Sequence, residues 1–517
     1  MIGPPGCGKT TWLSRQVQRA VDEGKDVVVA SLTKAAAAEA AGRHLPIPPR
    51  NVGTLHSHCY QALDRPSLAV DRKHVEDWND RHPEWALSFS DDRIDEDNME
   101  RSGQSPGDKL METYQVLRAR MATVYPIDID YFASAWTAWK SEAGLLDFTD
   151  LIEQSLDSVP AAPGNPSVIF LDEAQDMDLL EMSLARKWGE EAGYLIVVGD
   201  PDQNLYQWRG SDPEVFVEPA LPDDQMRVLT QSYRIPKAVH ATAVRWIERT
   251  PGRTPVEYYP RDEEGEVRHL SASWPNASAI IRDMQRYLDA GKTVMVLASC
   301  AYMIRPLLGK LRAAGVPFHN PYRRNKGAWN PLQSSRRRIT PKDLVLAFLR
   351  MSEEGIWTAA DMARWLATTR ITGVLQGSRG TLDGLTDDGR NGVDWDKIHN
   401  LLTEEAIAAG LSGDLDWLRQ NLLSSRQKGA AFAIRVAEAQ GAATLSKTPQ
   451  IITGTIHSVK GGEADVVYLF PDLSFAGMNE WIGKGQAAVR RLFYVGMTRA
   501  RESLILCQPA SSRSVEL

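Results

Sequence analysis

Two short stretches, more than 160 residues apart, carry the residue types that phosphate chemistry needs. The first is "GPPGCGKT", Gly3–Thr10, with the spacing G-x-x-x-x-G-K-[ST]. Gly3, Gly6 and Gly8 let backbone amides turn inward around phosphate oxygens. Lys9 would reach the β- and γ-phosphates and Thr10 would ligate Mg2+. The N-terminus of a following helix would favour the anion. Such a loop also arises by chance, so a partner has to decide. The partner is "VIFLDEAQD", an apolar run that carries Asp172 to the edge where Mg2+ would sit, with Glu173 placed to orient and deprotonate a water. One acid pair after a core strand is common by itself; with the loop upstream it points to ATP hydrolysis. The transition state also needs positive charge on the γ-phosphate. Arg234 in "LTQSYR" and Arg499 in "FYVGMTRAR" are the candidates, and losing such an arginine typically costs about 10³–10⁵ in rate.

The elements that must hold these residues alternate. After the loop, "TTWLSRQVQRAVDEG" has helical spacing and stops at Gly24; "DVVVAS" and "YLIVVGD" are strand runs. "TKAAAAEAAGR", Thr33–Arg43, reads as an alanine-rich helix. A second set follows in "VRHLSAS", "TVMVLAS", "IITGTIHS" and "DVVYLF", with a closing helix "AAVRRLFYVGMTRARE" and strand "SLILC". Strand–helix alternation implies parallel sheets. The expected architecture is α/β: two parallel-sheet domains, each interrupted by a mainly helical insertion. The boundaries read as 1–65 and 145–228 for the first domain, with an insertion at 66–144. The second domain reads as 229–320 and 449–517, with an insertion at 321–448. The first insertion holds the acidic stretch "SDDRIDEDNME".

The totals bound the class. A chain of 517 residues with 43% hydrophobic and 24% charged residues is ordinary globular material, and no apolar run approaches a membrane span. The first residues lack the order of a secretory signal. Cys7, Cys59, Cys300 and Cys507 are too scattered for a zinc site or a disulfide frame, which fits reduced thiols and a cytoplasmic location. The net charge of −8 argues weakly against nucleic acid, but binding depends on local patches. "RRNK" at Arg323–Lys326 and "RRR" at Arg336–Arg338 are basic runs, and a solvated loop is the commoner outcome for either alone.

Read together, "GPPGCGKT", "SLTKAAAAEAAGR", "GTLHS", "DEAQD", "VGDPDQNLYQWRGS", "LTQSYR", "TIHSVKGGEAD" and "RRLFYVGMTRAR" resemble, in order, the superfamily 1 DNA helicases of the UvrD/Rep/PcrA type. The resemblance covers both sheet regions and is weak in the insertions. It implies two RecA-like P-loop domains closing on ATP and Mg2+, and 3′→5′ movement on single-stranded DNA in replication, repair or recombination. It implies that Lys9, Thr10, Thr11, Asp172 and Glu173 serve ATP and Mg2+. Gln203 then links the γ-phosphate to the DNA loop, and Arg234 and Arg499 supply the γ-phosphate arginines. Tyr233 stacks on adenine and Glu463 lies near the ribose. Thr33, Thr54, His56, Ser57, Arg209, Thr455, His457 and Ser458 match strand-contacting positions. The implied substrates are single strands and single/double-strand junctions, with protein partners expected through the second insertion.

Physics supports the DNA assignment. Tyr206 and Trp208 follow Gln203 closely, and aromatic faces accept any base at roughly 1–3 kcal/mol per stacked base. An isolated YxW is more often core; in "DQNLYQWRG" stacking is the expectation. His56 and His58 lack acidic or cysteine partners nearby, so a hydrogen-bonding loop is expected of them in place of a metal pair. Two departures stand out. Only Met1 and Ile2 precede the loop, so the expectation is a missing first strand, no adenine-reading segment, and weak ATP binding with poor adenine selectivity. Leu32 and Ala35 also replace a family aromatic and lysine when the segment is aligned on Glu39. An alternative of another class is a DNA-stimulated ATPase subunit, or ATP-gated DNA-binding switch, that does not unwind alone. A helicase–nuclease and a non-motor P-loop kinase fit the sequence less well.

Overall fold

The computed structural model describes residues 1–31, 45–89, 105–324, 326–333, 339–352, 357–370, 372, 374–376 and 395–517. Strands β1 (Val27–Ser31), β2 (Val52–Thr54), β3 (Val168–Asp172) and β4 (Tyr194–Val197) form a parallel sheet in the order β2-β1-β3-β4. Every residue of β1 and β3 is buried. That is why both read as continuous apolar runs: helices cover both faces of the sheet.

The expectation of a missing first strand is corrected. Ile2 bridges in parallel to both Gly199 and Val228. Its amide donates to Arg227 O at 2.8 Å, and the Gly3 amide donates to Gly199 O at 2.9 Å. The Met1 amino group donates to Val197 O at 2.7 Å. Met1–Gly3 thus fill a strand position beside β4, because both flanking segments supply ladder partners to a stub too short to show a period.

The second sheet holds β5 (Glu266–Leu270), β6 (Val294–Ala298), β7 (Phe318–His319), β8 (Ile451–Thr455), β9 (Ala464–Leu469) and β10 (Ala500–Cys507). Its order is β5-β10-β9-β6-β8-β7, again parallel. The closing helix is shorter than its sequence suggests. It spans Gln486–Met497, and β10 begins at Ala500. Pairing of residues 500–507 with β5 and β9 overrides local helical preference and leaves Arg499 in a two-residue link.

Both sheets are interrupted by helices. Between Ala62 and Phe148 the described residues include the helices Arg72–Arg81, Pro106–Ala119 and Ile127–Ala143, packed around Trp78, Phe132, Trp136 and Trp139. A buried charge cluster ties them to the sheet domain. Arg118, 3% exposed, pairs with Asp147 at 3.0 Å, Asp150 at 2.5 Å and Glu153 at 2.5 Å, and Lys140 meets Asp147 at 2.7 Å. Between β7 and β8 the helices Pro341–Leu349, Ala359–Leu366, Glu404–Ser412 and Ser424–Gln440 share one core with the second sheet, through Phe348, Trp365 and Phe432. The alanine-rich segment at 33–43, the acidic stretch at 90–100 and Arg336–Arg338 lie outside the described residues. Among the described residues no helix is long and apolar enough to cross a membrane.

Candidate nucleotide and nucleic-acid site

The phosphate loop turns through left-handed backbone at Gly6 (φ +74°) and Gly8 (φ +81°) and enters the helix Lys9–Asp22. That helix has no side-chain cap, so its first amides stay available to an anion. Crowding dictates two of the glycines: a Cβ at Gly3 would strike the Lys9 side chain, and one at Gly6 would strike Arg234. Lys9 Nζ donates to Gly3 O at 2.6 Å.

The segment that carries Arg234 is stitched to this loop. Ser232 Oγ donates to Pro5 O at 2.8 Å, and the Tyr233 amide donates to Gly6 O at 2.9 Å. The Tyr233 side chain is 73% exposed and stands beside the loop as an uncovered aromatic. Arg234 Nε donates to Glu463 Oε2 at 2.7 Å, and Glu463 also faces Arg501 at 3.5 Å.

Asp172 closes β3 and is buried; its Oδ1 accepts the Glu173 amide at 3.0 Å. Glu173 has φ +54°, a left-handed conformation that costs a non-glycine residue of order 1–3 kcal/mol. Gln175 Nε2 donates to its Oε2 at 2.5 Å. Thr10 opens the helix on the other side of the loop, and Thr11 is exposed one residue further on. One hydroxyl and one carboxylate, both hard oxygen donors, suit Mg2+ that takes its remaining ligands from phosphate and water. Among the described residues no cluster of three or more His, Cys, Asp or Glu could hold a metal.

From the second sheet two cations reach across. Arg499, 1% exposed, donates from Nη2 to Gln203 Oε1 at 2.8 Å, from Nε to Val495 O at 2.9 Å and from Nη1 to Gly462 O at 3.2 Å. Burial and the nearby Arg234 lower its pKa to about 9, so the guanidinium stays charged at neutral pH. Gln203 in turn donates from Nε2 to Asp200 Oδ2 at 2.6 Å. Lys460 contacts Asp176, donates to Gln203 O at 3.1 Å and lies 3.6 Å from Glu173. Burial alone would raise the Glu173 carboxyl, but Lys460 and Lys9 outweigh it and hold it at about 2. Asp176 goes the other way: burial lifts it to about 6 against the pull of Lys460. Arg253 forks onto Asp202 at 2.7–2.9 Å. Lys460 and Arg253 carried no role in the sequence reading. Lys460 sits inside "TIHSVKG" and could have been found there; Arg253 had no motif around it.

The expected strand contacts divide. Thr54 Oγ accepts the Ser57 amide at 3.1 Å and caps the helix Leu55–Ala62. His56 is half-exposed, 3.6 Å from Glu181, and edge-on to Phe148. The Phe148 ring is itself 51% exposed, an aromatic the sequence reading passed over. Thr455, His457 and Ser458 are buried at the end of β8. Thr33 lies outside the described residues. Tyr206 departs from expectation. It is 2% exposed, with Lys460 5.7 Å and Arg209 5.9 Å from its ring and His457 packed beside it, so here it is an interdomain core residue. Trp208 remains half-buried at the mouth of a cleft between the two sheets.

The sequence is similar to those of known proteins. Residues 1–220 match the sequence model of the UvrD/REP helicase N-terminal domain, and residues 451–507 match that of the UvrD-like helicase C-terminal domain. The ATP-dependent DNA helicases PcrA of Staphylococcus aureus and Staphylococcus epidermidis are each 24% identical over 330 residues, which is 57% of this chain and 44% of theirs. The chain thus spans less than half the length of the curated relatives it matches. With both domain models matched in order over more than half of its residues, and two parallel sheets facing a shared phosphate loop, the chain belongs to the UvrD/Rep/PcrA-type family of superfamily 1 helicases.

Proposed function

We propose that the chain is an ATP-driven motor that moves on single-stranded DNA, 3′→5′, and opens single/double-strand junctions in DNA replication, repair or recombination. The observation that carries this reading is the traffic across the cleft. Arg499 of one sheet bonds Gln203 of the other, and Lys460 bonds the acids around Glu173. A P-loop enzyme without a moving second domain has no use for either contact. The name printed for the relatives, ATP-dependent DNA helicase, supports the same reading.

In this proposal Lys9, Thr10 and Asp172 would hold the Mg2+–nucleotide, and the metal would supply positive charge against the phosphates. Tyr233 offers its exposed ring to adenine, with Glu463 near the ribose. Glu173 is held ionised, the state that accepts a proton from the attacking water. Arg499 and Arg234 stabilise charge on the γ-phosphate. Their present partners, Gln203 and Glu463, are then the contacts given up when nucleotide arrives. Because Gln203 also precedes Trp208 and Arg209, releasing it alters the strand side of the cleft. Thr54, His56, Ser57 and Arg209 grip the strand from one domain, and Thr455, His457 and Ser458 from the other. A cytoplasmic location and protein partners on the second insertion fit the same picture.

The test is ATP hydrolysis with and without single-stranded DNA, for wild type and Lys9→Ala. Stimulation by DNA in wild type, and its disappearance in Lys9→Ala, is the expected result; hydrolysis indifferent to DNA overturns the motor. Unwinding of a 3′-tailed duplex by the chain alone then separates a helicase from a DNA-stimulated ATPase subunit.

A further inference from the structure

Just past β7 the chain leaves the second sheet through a turn built on a fully buried asparagine, Asn320. Its Nδ2 donates to Thr453 O at 3.0 Å and to Ser458 Oγ at 3.1 Å. Its Oδ1 accepts the Tyr322 amide at 3.0 Å and the Arg323 amide at 3.1 Å. Its own amide donates to Asn330 Oδ1 at 2.9 Å, and Asn330 is buried too. A buried amide with donor and acceptor both engaged leaves the turn little freedom. What the turn fixes is the place of Tyr322.

The Tyr322 ring lies against Gly462: a Cβ there would come within 2.4 Å of both the ring Cζ and the hydroxyl. Gly461, at φ +84°, and Gly462 form a link with no side chain of its own to anchor it. Its position depends on what packs on it. That position matters because Gly462 O accepts Arg499 Nη1 at 3.2 Å. Of the other two acceptors of Arg499, Val495 O belongs to the helix just before it, and Gln203 belongs to the first domain. The next residue, Glu463, pairs with Arg234 at 2.7 Å. Burial pushes the Tyr322 phenol above its usual range, against the pull of the Glu463 backbone, Arg499 and Arg234. Both arginines and the acid thus lie around one hydroxyl that has no part in the mechanism above.

We infer that Tyr322 is a positioning residue for ATP hydrolysis: fixed by Asn320 and packed on Gly462, it sets the carbonyl that aims Arg499 at the γ-phosphate. The inference rests on the role proposed for Arg499 above and adds the residue that places it. Misplacing a group that meets charge in the transition state by about 1 Å costs on the order of 10²-fold in rate. ADP has no γ-phosphate for Arg499 to meet, so its binding is spared.

The experiment measures ATP hydrolysis at saturating single-stranded DNA, and the affinity of a fluorescent ADP with and without aluminium fluoride, which mimics the phosphoryl group in transfer. Tyr322→Ala should lower kcat and kcat/KM alike, by about 100-fold. Its affinity for ADP–aluminium fluoride should fall in proportion, while ADP alone binds within about 2-fold of wild type. Tyr322→Phe keeps the ring on Gly462 and should lose no more than about 10-fold. Gly462→Ala, whose methyl displaces the ring, should reproduce Tyr322→Ala and takes its place if that variant does not fold. A kcat within about 2-fold of wild type in these two alanine variants, or an equal loss of affinity for ADP with and without aluminium fluoride, overturns the positioning role. Arg499→Ala separates the two levels. If it abolishes hydrolysis while the Tyr322 variants do not lower it, the proposed function stands without this inference; if it hydrolyses ATP like wild type, the role of Arg499 falls and this inference with it.

Discussion

One strand of each sheet ends in nearly the same five residues, "GTLHS" in and after β2 and "GTIHS" in and after β8. The local chemistry repeats. Thr54 Oγ accepts the Ser57 amide at 3.1 Å and Thr455 Oγ accepts the Ser458 amide at 3.2 Å. Ser57 Oγ donates to Thr54 O at 2.7 Å and Ser458 Oγ to Thr455 O at 2.8 Å. Gly53 and Gly454 leave the space those hydroxyls occupy. The surroundings differ. The first loop is half-exposed and runs into an eight-residue helix; the second is buried and turns through His457–Val459 to deliver Lys460 to Asp176. One polar turn thus serves two ends. In the first domain it lies half-exposed, and in the second it carries Lys460 to Asp176 and Glu173 of the first.

The comparison breaks most visibly at Lys460, whose counterpart in the first loop is the buried Cys59. Removing one partner of a buried ion pair typically costs about 3–5 kcal/mol. Lys460→Ala should therefore lower unfolding stability by about 3 kcal/mol in chemical denaturation and uncouple DNA from hydrolysis. Cys59→Ala should cost about 1 kcal/mol and leave that coupling intact. The glycines come next. Alanine at Gly454 meets both Ser458 Oγ and Asn320 Nδ2, and Asn320 is itself tied to Thr453 O at 3.0 Å, so nothing yields. Gly454→Ala should cost about 2–3 kcal/mol by denaturant midpoint, and Gly53→Ala, where only the half-exposed Ser57 must turn away, about 1 kcal/mol.

The smallest effect is in the pH dependence of the half-exposed loop. Burial lowers His56 to about 4 and raises Glu181, 3.6 Å away, to about 8. Unfolded histidine binds a proton below pH 6.5, so His56 removes stability as pH falls from 6.5 towards 4. Glu181 keeps a proton that the unfolded chain gives up above about pH 4.5, so it removes stability as pH rises from 4.5 towards 8. The two oppose each other in wild type between pH 5 and 7. Glu181→Gln leaves the histidine alone, and the stability of this variant should fall by about 1–2 kcal/mol on going from pH 7 to pH 5. Denaturation of Glu181→Gln that is unchanged or more difficult at pH 5 than at pH 7 would remove His56 as a titrating group.

The strands buried on both faces, β1, β3, β6 and β9, were legible because nothing polar interrupts "VVVAS", "VIFLD", "VMVLA" and "ADVVYL" beyond their ends. The phosphate loop and Asp172 were legible because their chemistry fixes both residue type and spacing. What escaped depends on partners distant in sequence. Met1–Gly3 become a strand only between Gly199 and Val228, and Arg499 leaves its helix because β10 pairs with β9. Tyr206 goes to the interior because Lys460 and His457, some 250 residues later, pack on it. No local pattern carries that information.

The stitching of Ser232 and Tyr233 to the phosphate loop has a mechanical consequence. The chain crosses from one sheet to the other at the same place, so a rotation of one sheet domain against the other would be pinned at Pro5 and Gly6. Rotation about a pivot displaces points in proportion to their distance from it. Arg234, in contact with Gly6, sits where the lever arm is shortest, and residues farther from the crossing sweep a longer arc. On the proposed function, stroke length would be a property of lever geometry, set by how far the turns at Thr54–Ser57 and Thr455–Ser458 stand from two hydrogen bonds.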